Sequence, residues 1–299
     1  MALRKDALEI LKETSRTFYI PISRLPSGLQ AAVASAYLCM RAIDEIEDHP
    51  ELDNQTKAKL LQTISLNLQA AVDGFTFDNS SLFLSLDQGQ LPEVSMRIGE
   101  WAELAPATIA PRIWDATVAM ADRMAYWAAN GWAVHTEAEL DSYTFGVAGA
   151  VGLLLSDLWA WYDGTKTNRT QAIGFGRGLQ AVNILRNRTE DLERGVDLFP
   201  DGWNKSDLHV YARRNLALGD AYTKALPLGP ALEFCQIPLA LAQATLDILA
   251  NGESKLSRSA VLALIAQVTG ALWQKPASSE VSDEYFDTPL AKATRIIGS

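Results

Sequence analysis

Between positions 37 and 48 the chain reads Tyr37-Leu-Cys-Met-Arg41-Ala-Ile-Asp44-Glu-Ile-Glu-Asp48. At about 100° per residue, Tyr37, Arg41, Asp44 and Asp48 fall within about 60° of one another on a helix. Carboxylates one turn apart repel, and buried together they take up protons unless a cation lies between them. Carboxylate ligands completed by substrate phosphate and water are a common way of holding Mg²⁺ in phosphate chemistry. A solvated acidic helix end has the same spacing and holds no metal. A second segment shifts the balance. From Gln180 to Gly195 the order is Gln-Ala-Val-Asn-Ile-Leu-Arg-Asn-Arg-Thr-Glu-Asp-Leu-Glu-Arg-Gly. Gln180, Asn183, Asn187, Asp191 and Arg194 share one stripe by the same arithmetic. Both stripes run along otherwise apolar helices, beside Ala42, Ile43 and Ile46 in the first and Val182, Ile184 and Leu185 in the second. Inward-facing amides and carboxylates need partners, which a metal with a charged ligand supplies better than a dry core.

The elements that must carry these stripes are helices. Nearly every long segment has an apolar period near 3.6, which predicts an all-α fold. Pro21, Pro26, Pro50, Pro106, Pro111, Pro227, Pro230 and Pro276 fall at joints between periodic runs. Asp73-Gly74 and Asp163-Gly164 mark turns, and residues 78–81 read as a loop. No composition break or fixed-period repeat divides the 299 residues, so one domain, 1–299, with a large core is expected.

Composition limits the function. The net charge of −10 argues against nucleic acid, which basic surfaces hold. A small diphosphate needs only a local basic cluster, which Arg16, Arg41, Arg186, Arg188 and Arg194 can form. His49, His135 and His209 lack metal-ligand spacing. The uncharged apolar run at 145–155 is shorter than the roughly 20 residues of a membrane helix, so no transmembrane segment is expected. The N-terminus leads into an amphipathic pattern and not an apolar export signal. Cys39 and Cys235 are too few for a disulfide framework and sit in apolar stretches. Buried free thiols and a cytoplasmic location are expected.

A third segment removes bulk instead of adding charge. Gly146, Gly149 and Gly152, with Ala148 and Ala150, follow Tyr143, and each Gly costs a helix roughly 0.5–1 kcal/mol relative to Ala. Either another helix approaches closely, or the segment lines an apolar tunnel with Tyr143 at its mouth. Trp127, Trp132, Trp159 and Trp161 read mainly as core.

Together these segments resemble the squalene and phytoene synthase family, the head-to-head branch of the isoprenyl diphosphate synthases. Ser15-Arg16-Thr17-Phe18 is similar to its N-terminal signature, and residues 37–48 resemble its first acidic motif. Residues 143–152 resemble its Tyr-Cys-x-x-Val-Ala-Gly-x-Val-Gly motif, and residues 180–200 its second acidic motif with the following Arg-Gly-x-x-x-x-Pro stretch. Phe234-Cys-Gln-Ile-Pro238 and Ala244-Thr-Leu246 are similar to squalene synthases in particular.

The resemblance implies an isoprenoid synthase helical bundle around a central apolar cavity. It implies two or three Mg²⁺ ions held by Asp44, Asp48, Asn187 and Asp191. Diphosphate binding would fall to Ser15, Arg16, Tyr37, Arg41, Gln180, Asn183, Arg186 and Arg194. Asp44, Asp48, Arg41 and Tyr143 would be catalytic, with Tyr143 handling cation or proton steps. Phe18, Val147, Gly149 and Gly152 would line the tunnel. The implied reaction joins two prenyl diphosphates, farnesyl diphosphate by the squalene-like motif, through a presqualene-type cyclopropylcarbinyl diphosphate to a C30 product. A monomer or a homodimer, and transient membrane contact for product release, are both compatible with it.

Two departures qualify the resemblance. Asn187 stands where the second motif ordinarily begins with Asp, so one formal charge is missing. Where squalene synthases carry a basic segment associated with the reductant's phosphates, residues 257–267 hold one basic residue, Arg258, and 260–266 are wholly apolar. A product formed without hydride transfer from NADPH is therefore expected. Two further readings remain open: ionisation of a single prenyl diphosphate by a diverged member, and a non-catalytic scaffold on the same fold.

Overall fold

The structure is a computed structural model that describes residues 3–72 and 91–270. The sequence-predicted turn at Asp73-Gly74, the loop at 78–81 and the joint at Pro276 lie outside the described residues. Among the described residues the regular structure is all helical, as the apolar period predicts. In chain order the helices are α1 Lys5–Thr14, α2 Arg16–Ser23, α3 Ser27–Glu47, α4 Asn54–Val72, α5 Glu93–Met96, α6 Ile98–Ala102 and α7 Ala110–Ala129. They continue as α8 Glu137–Thr144, a π-helical turn Phe145–Gly149, α9 Ala150–Asp163, α10 Arg169–Glu193, α11 Lys205–Ala225, α12 Pro230–Ala250 and α13 Arg258–Thr269.

The sequence writes many of these boundaries chemically. The Ser15 hydroxyl accepts from the Phe18 amide at 2.9 Å and caps α2. Asn168 does the same for α10 through the Gln171 amide at 3.1 Å. Thr136 with Glu139, and Asn204 with Asp207, form capping boxes at α8 and α11. Gly164, at φ 78°, ends α9 in the left-handed conformation that favours glycine. Pro21 is a correction: it lies inside α2 and not at a joint, in a helix short enough to lose little by the missing donor.

One close approach fixes how α10 sits. A Cβ on Gly176 would lie 2.2 Å from the Ala148 carbonyl oxygen, and one on Gly152 would lie 2.2 Å from that of Ala172. The two contacts step four residues in opposite directions, so α10 runs antiparallel to the π turn and α9 with backbones nearly touching. This holds the second acidic stripe beside the Tyr143 segment.

Helices α3 and α10 carry the longest buried faces in the structure. Averaged over a window, 137–163 and 230–250 are long and apolar enough to cross a membrane, which the uninterrupted-run criterion missed. Both contribute to the bundle: Leu140, Leu154, Leu158 and Trp159 from the first, and Phe234, Cys235 and Leu246 from the second, belong to the core.

Candidate functional site

Helix α3 presents Tyr37, Arg41 and Asp44, and Asp48 is its C-terminal cap. Tyr37, Arg41 and Asp44 of the predicted stripe are buried, Arg41 2% and Asp44 1% exposed, and Asp48 at its end is partly exposed. Its carboxylates need a cation, and the protein supplies part of one. Arg41 pairs with Asp44 one turn on and with Glu45, closing both ion pairs within α3. Asp44, Glu47 and Asp48 each bring a carboxylate oxygen within 4.8 Å of the others. Three hard oxygen donors at that spacing suit Mg²⁺, which takes a few carboxylates and completes its shell with phosphate and water. The Tyr37 hydroxyl donates to the Thr14 carbonyl at 3.2 Å, and burial raises its pKa. Ser15 is fully buried beside it and spends its oxygen on the α2 cap. Arg16 begins α2, but its side chain lies outside the described ones.

The second stripe also faces inward: Gln180, Asn183, Asn187 and Asp191 are all buried on α10. The Asn183 amide donates to the Gln180 carbonyl at 3.2 Å. Arg186 Nε donates to the Asn187 Oδ1 at 3.0 Å, so the amide oxygen that stands in for the usual carboxylate already accepts one hydrogen bond. Arg194, the α10 C-cap, joins the two motifs. Its Nη2 donates to Asp191 at 2.6 Å and its Nη1 to Asp48 at 2.8 Å. Burial raises the pKa of Asp191 and the contact with Arg194 opposes that rise. Arg188 points elsewhere, over the Phe199 ring at 3.6 Å and to Asp197 at 3.0 Å.

Tyr143 lies between the motifs. Burial first, and then Glu47, Asp191 and Asp44, hold its phenol well above the usual tyrosine pKa. Its ring meets Trp127 edge-on at 5.5 Å and Trp132 edge-on at 6.4 Å. Trp132 has φ 58°, the one positive value among the described non-glycine residues. For a bulky side chain this is a strained conformation, of the kind that collects at functional sites. The turn after α7 thereby swings the indole back over Tyr143. The π turn that begins two residues after Tyr143 is also of a type frequent at functional sites.

The glycines of this segment serve close packing first. Gly149 meets Ile173 and Gly152 meets the Ala172 backbone, so the space left by their missing side chains is taken by α10. Val151, Leu154 and Leu155 of the same segment line a narrow apolar crevice. Its walls include Phe18, Tyr37, Met40, Val151, Leu154 and Phe234, and it leaves about 10 Å³ free. Phe18 is among these walls, whereas Val147 is buried outside them. Tyr37 belongs to both regions, with its ring on the crevice and its residue one turn before Arg41.

Sequence reasoning missed three residues. Glu47 completes the carboxylate cluster, although its position three residues after Asp44 was available as a signal. Glu45 shares Arg41 with Asp44. Lys57 on α4 is only 9% exposed. Its pKa is lowered by burial, while Glu47 pulls it up and Arg194 pushes it down. A periodic pattern gives no sign that α4 would bring a cation to the acidic cluster. The three histidines stay apart, His49 accepting from the Glu51 amide, His135 facing Asp201 and His209 facing the Leu246 carbonyl. Cys39 and Cys235 are buried free thiols, as expected.

The family model for squalene/phytoene synthases matches residues 11–210, a stretch that includes both acidic motifs, Tyr143 and the Arg194 bridge. Squalene synthase of Schizosaccharomyces pombe is 30% identical over 269 residues, which covers 80% of this chain and 58% of that protein. Human squalene synthase is 27% identical over 277 residues, covering 83% of this chain and 64% of the human one. The chain thus spans about three fifths of the length of these relatives. A ligand complex of TcSQS has the same fold, with a TM-score of 0.74 at 21% identity over 89% of this chain and 85% of that one. On the matched residues and the fold, the chain belongs to the squalene/phytoene synthase family.

Proposed function

We propose that this protein condenses two prenyl diphosphates head-to-head, with farnesyl diphosphate as substrate and a C30 product, in a Mg²⁺-dependent reaction. The observation that carries this reading is the three-carboxylate cluster of Asp44, Glu47 and Asp48, bridged by Arg194 to Asp191 and adjoining an apolar crevice through Tyr37. Asp44, Glu47 and Asp48 would hold the metal, with Asp191, tied to Asp48 through Arg194, and the amide oxygen of Asn187 as further ligands from the second motif. Mg²⁺ bound there would neutralise charge on the departing diphosphate.

The chain's own residues do the rest. Arg41 holds Asp44 and Glu45 in place, Arg194 offers a forked donor to phosphate oxygens, and Gln180, Asn183 and Arg186 add polar contacts along the second stripe. The crevice walls exclude water, so an allylic cation formed beside them is not quenched. Tyr143, kept as a neutral phenol by burial and neighbouring carboxylates, donates a hydrogen bond or a proton and does not act as a phenolate base. Trp127 and Trp132 hold its ring in place.

We further propose that the product forms without hydride transfer. Residues 260–266 lie in α13, whose sequence carries a single basic residue, Arg258, where a dinucleotide phosphate would call for several. A cytoplasmic location is proposed on the two free thiols. Purified protein is to be incubated with Mg²⁺ and either farnesyl or geranylgeranyl diphosphate, with and without NADPH, and the extracted lipids analysed. A C30 product from farnesyl diphosphate that is independent of NADPH is the expected result. A C15 alcohol or cyclised C15 hydrocarbon as the only product would overturn the condensation, and squalene formed only with NADPH would overturn the proposal about the reductant.

A further inference from the structure

We propose that Arg194 is a positioning residue that holds the two acidic motifs together and competes with divalent metal for their oxygens, so that it sets the affinity of the site for metal. This rests on the carboxylate cluster being a metal site. Arg194 is an internal cation with one nitrogen on each motif, Nη1 on Asp48 at 2.8 Å and Nη2 on Asp191 at 2.6 Å. Nη1 also lies 3.4 Å from the Asp48 backbone carbonyl, so the guanidinium grips the end of α3 itself. Asp48 is at the same time a member of the cluster with Asp44 and Glu47.

A guanidinium and a metal ion draw on the same carboxylate lone pairs, so each weakens the hold of the other. The local backbone suits a group that changes partner. Arg194 ends α10 and is followed by Gly195 at φ 76°, while its side chain is 29% exposed against 7% for Asp191. Asp48, the α3 cap, is 18% exposed. When a diphosphate arrives with metal, the five N–H donors of the guanidinium find phosphate oxygens within the same reach. Binding of metal and the handover of Arg194 to the ligand are then coupled.

The test measures Mn²⁺ binding to the protein with no substrate present, by the loss of the free-ion electron paramagnetic resonance signal. Wild type is compared with Arg194→Gln and Arg194→Lys, and melting temperatures are taken in EDTA. Arg194→Gln is expected to bind Mn²⁺ about three- to tenfold more tightly, the scale of one or two partly exposed ion pairs, and to melt at a lower temperature in EDTA. Arg194→Lys, a point charge that cannot grip both carboxylates in the same fork, is expected to fall between the two. A residue with only a structural role would leave metal affinity unchanged or weaken it, and either result for both variants overturns the inference. If wild type binds Mn²⁺ and makes product but the variants bind no more tightly, this inference falls alone. If neither wild type nor the variants bind Mn²⁺, the metal reading falls with it.

Discussion

Gly176 meets the carbonyl oxygen of Ala148 so closely that a Cβ on it would lie 2.2 Å away. This contact and its companion between Gly152 and Ala172 let α10 lie against the Tyr143 segment, so Asp191 and Tyr143 can share one site. Each Gly costs its helix about 0.5–1 kcal/mol relative to Ala, whereas forcing a methyl into backbone contact costs about 1–3 kcal/mol. Packing therefore outweighs propensity. Gly152→Ala and Gly176→Ala are expected to lower stability to denaturant by roughly that larger amount. Gly28→Ala, where the added Cβ meets nothing within 4 Å, should be neutral or slightly stabilising. A Gly152→Ala protein as stable as wild type would show that close helix packing is not what these glycines serve.

Burial and the carboxylates of Glu47, Asp191 and Asp44 raise the pKa of Tyr143 above its ordinary value. An acid whose folded pKa is raised favours the folded state below its unfolded value of about 10 and loses that contribution as pH rises through the folded pKa. Tyr143 therefore remains a phenol at neutral and mildly alkaline pH. Tyr143→Phe should reduce kcat/KM while leaving the shape of its pH profile unchanged between about pH 8 and 9.5. Disappearance of an alkaline limb in the variant would show that Tyr143 titrates in that range.

Glu45 and Glu47 are close in sequence and differ in role. Glu45 pairs with Arg41, whereas Glu47 brings its oxygen to Asp44 and Asp48. Glu47→Gln should weaken Mn²⁺ binding about tenfold, in line with losing one ligand charge, and Glu45→Gln should change it far less. Isothermal titration of both variants decides, and equal effects would contradict the assignment of Glu47 to the cluster.

Asn187 restores a carboxylate when changed to Asp. Its Oδ1 accepts from Arg186 at 3.0 Å and its side chain is buried on the inward stripe of α10. Asn187→Asp is expected to tighten metal binding several-fold and to shift the product distribution in the lipid assay. If neither changes, Asn187 lies outside the coordination shell.

The two acidic stripes were legible because helical period and residue type together dictate which side chains share a face, and the structure buries all but the ends of both, Asp48 and Arg194. Capping residues such as Asn168 and Thr136 fix helix starts by equally local chemistry. The third motif was ambiguous because a glycine reports only that space is needed, not whether a ligand or a helix fills it. In this fold α10 fills it. The strained turn at Trp132, the π turn after Tyr143 and the approach of Lys57 arise from tertiary packing, which overrides local preference without leaving a periodic signal. Glu47 could have been read from its spacing to Asp44, but a stripe defined from Tyr37 and Arg41 passed over it.

If prenyl diphosphate chemistry depends on metal held at the first acidic motif, loss of one ligand there must cost activity before it costs the fold. Asp48 is the cleaner probe, because Asp44 forms a buried pair with Arg41 whose breakage costs about 3–5 kcal/mol of stability. The measurement is the rate of C30 product formation from farnesyl diphosphate by wild type and Asp48→Asn at matched folded fraction, each with saturating Mg²⁺ and with EDTA. Metal dependence at this motif predicts no product in EDTA and a loss of about a hundredfold or more in the variant. Unchanged turnover in Asp48→Asn, or full activity in EDTA, would contradict it.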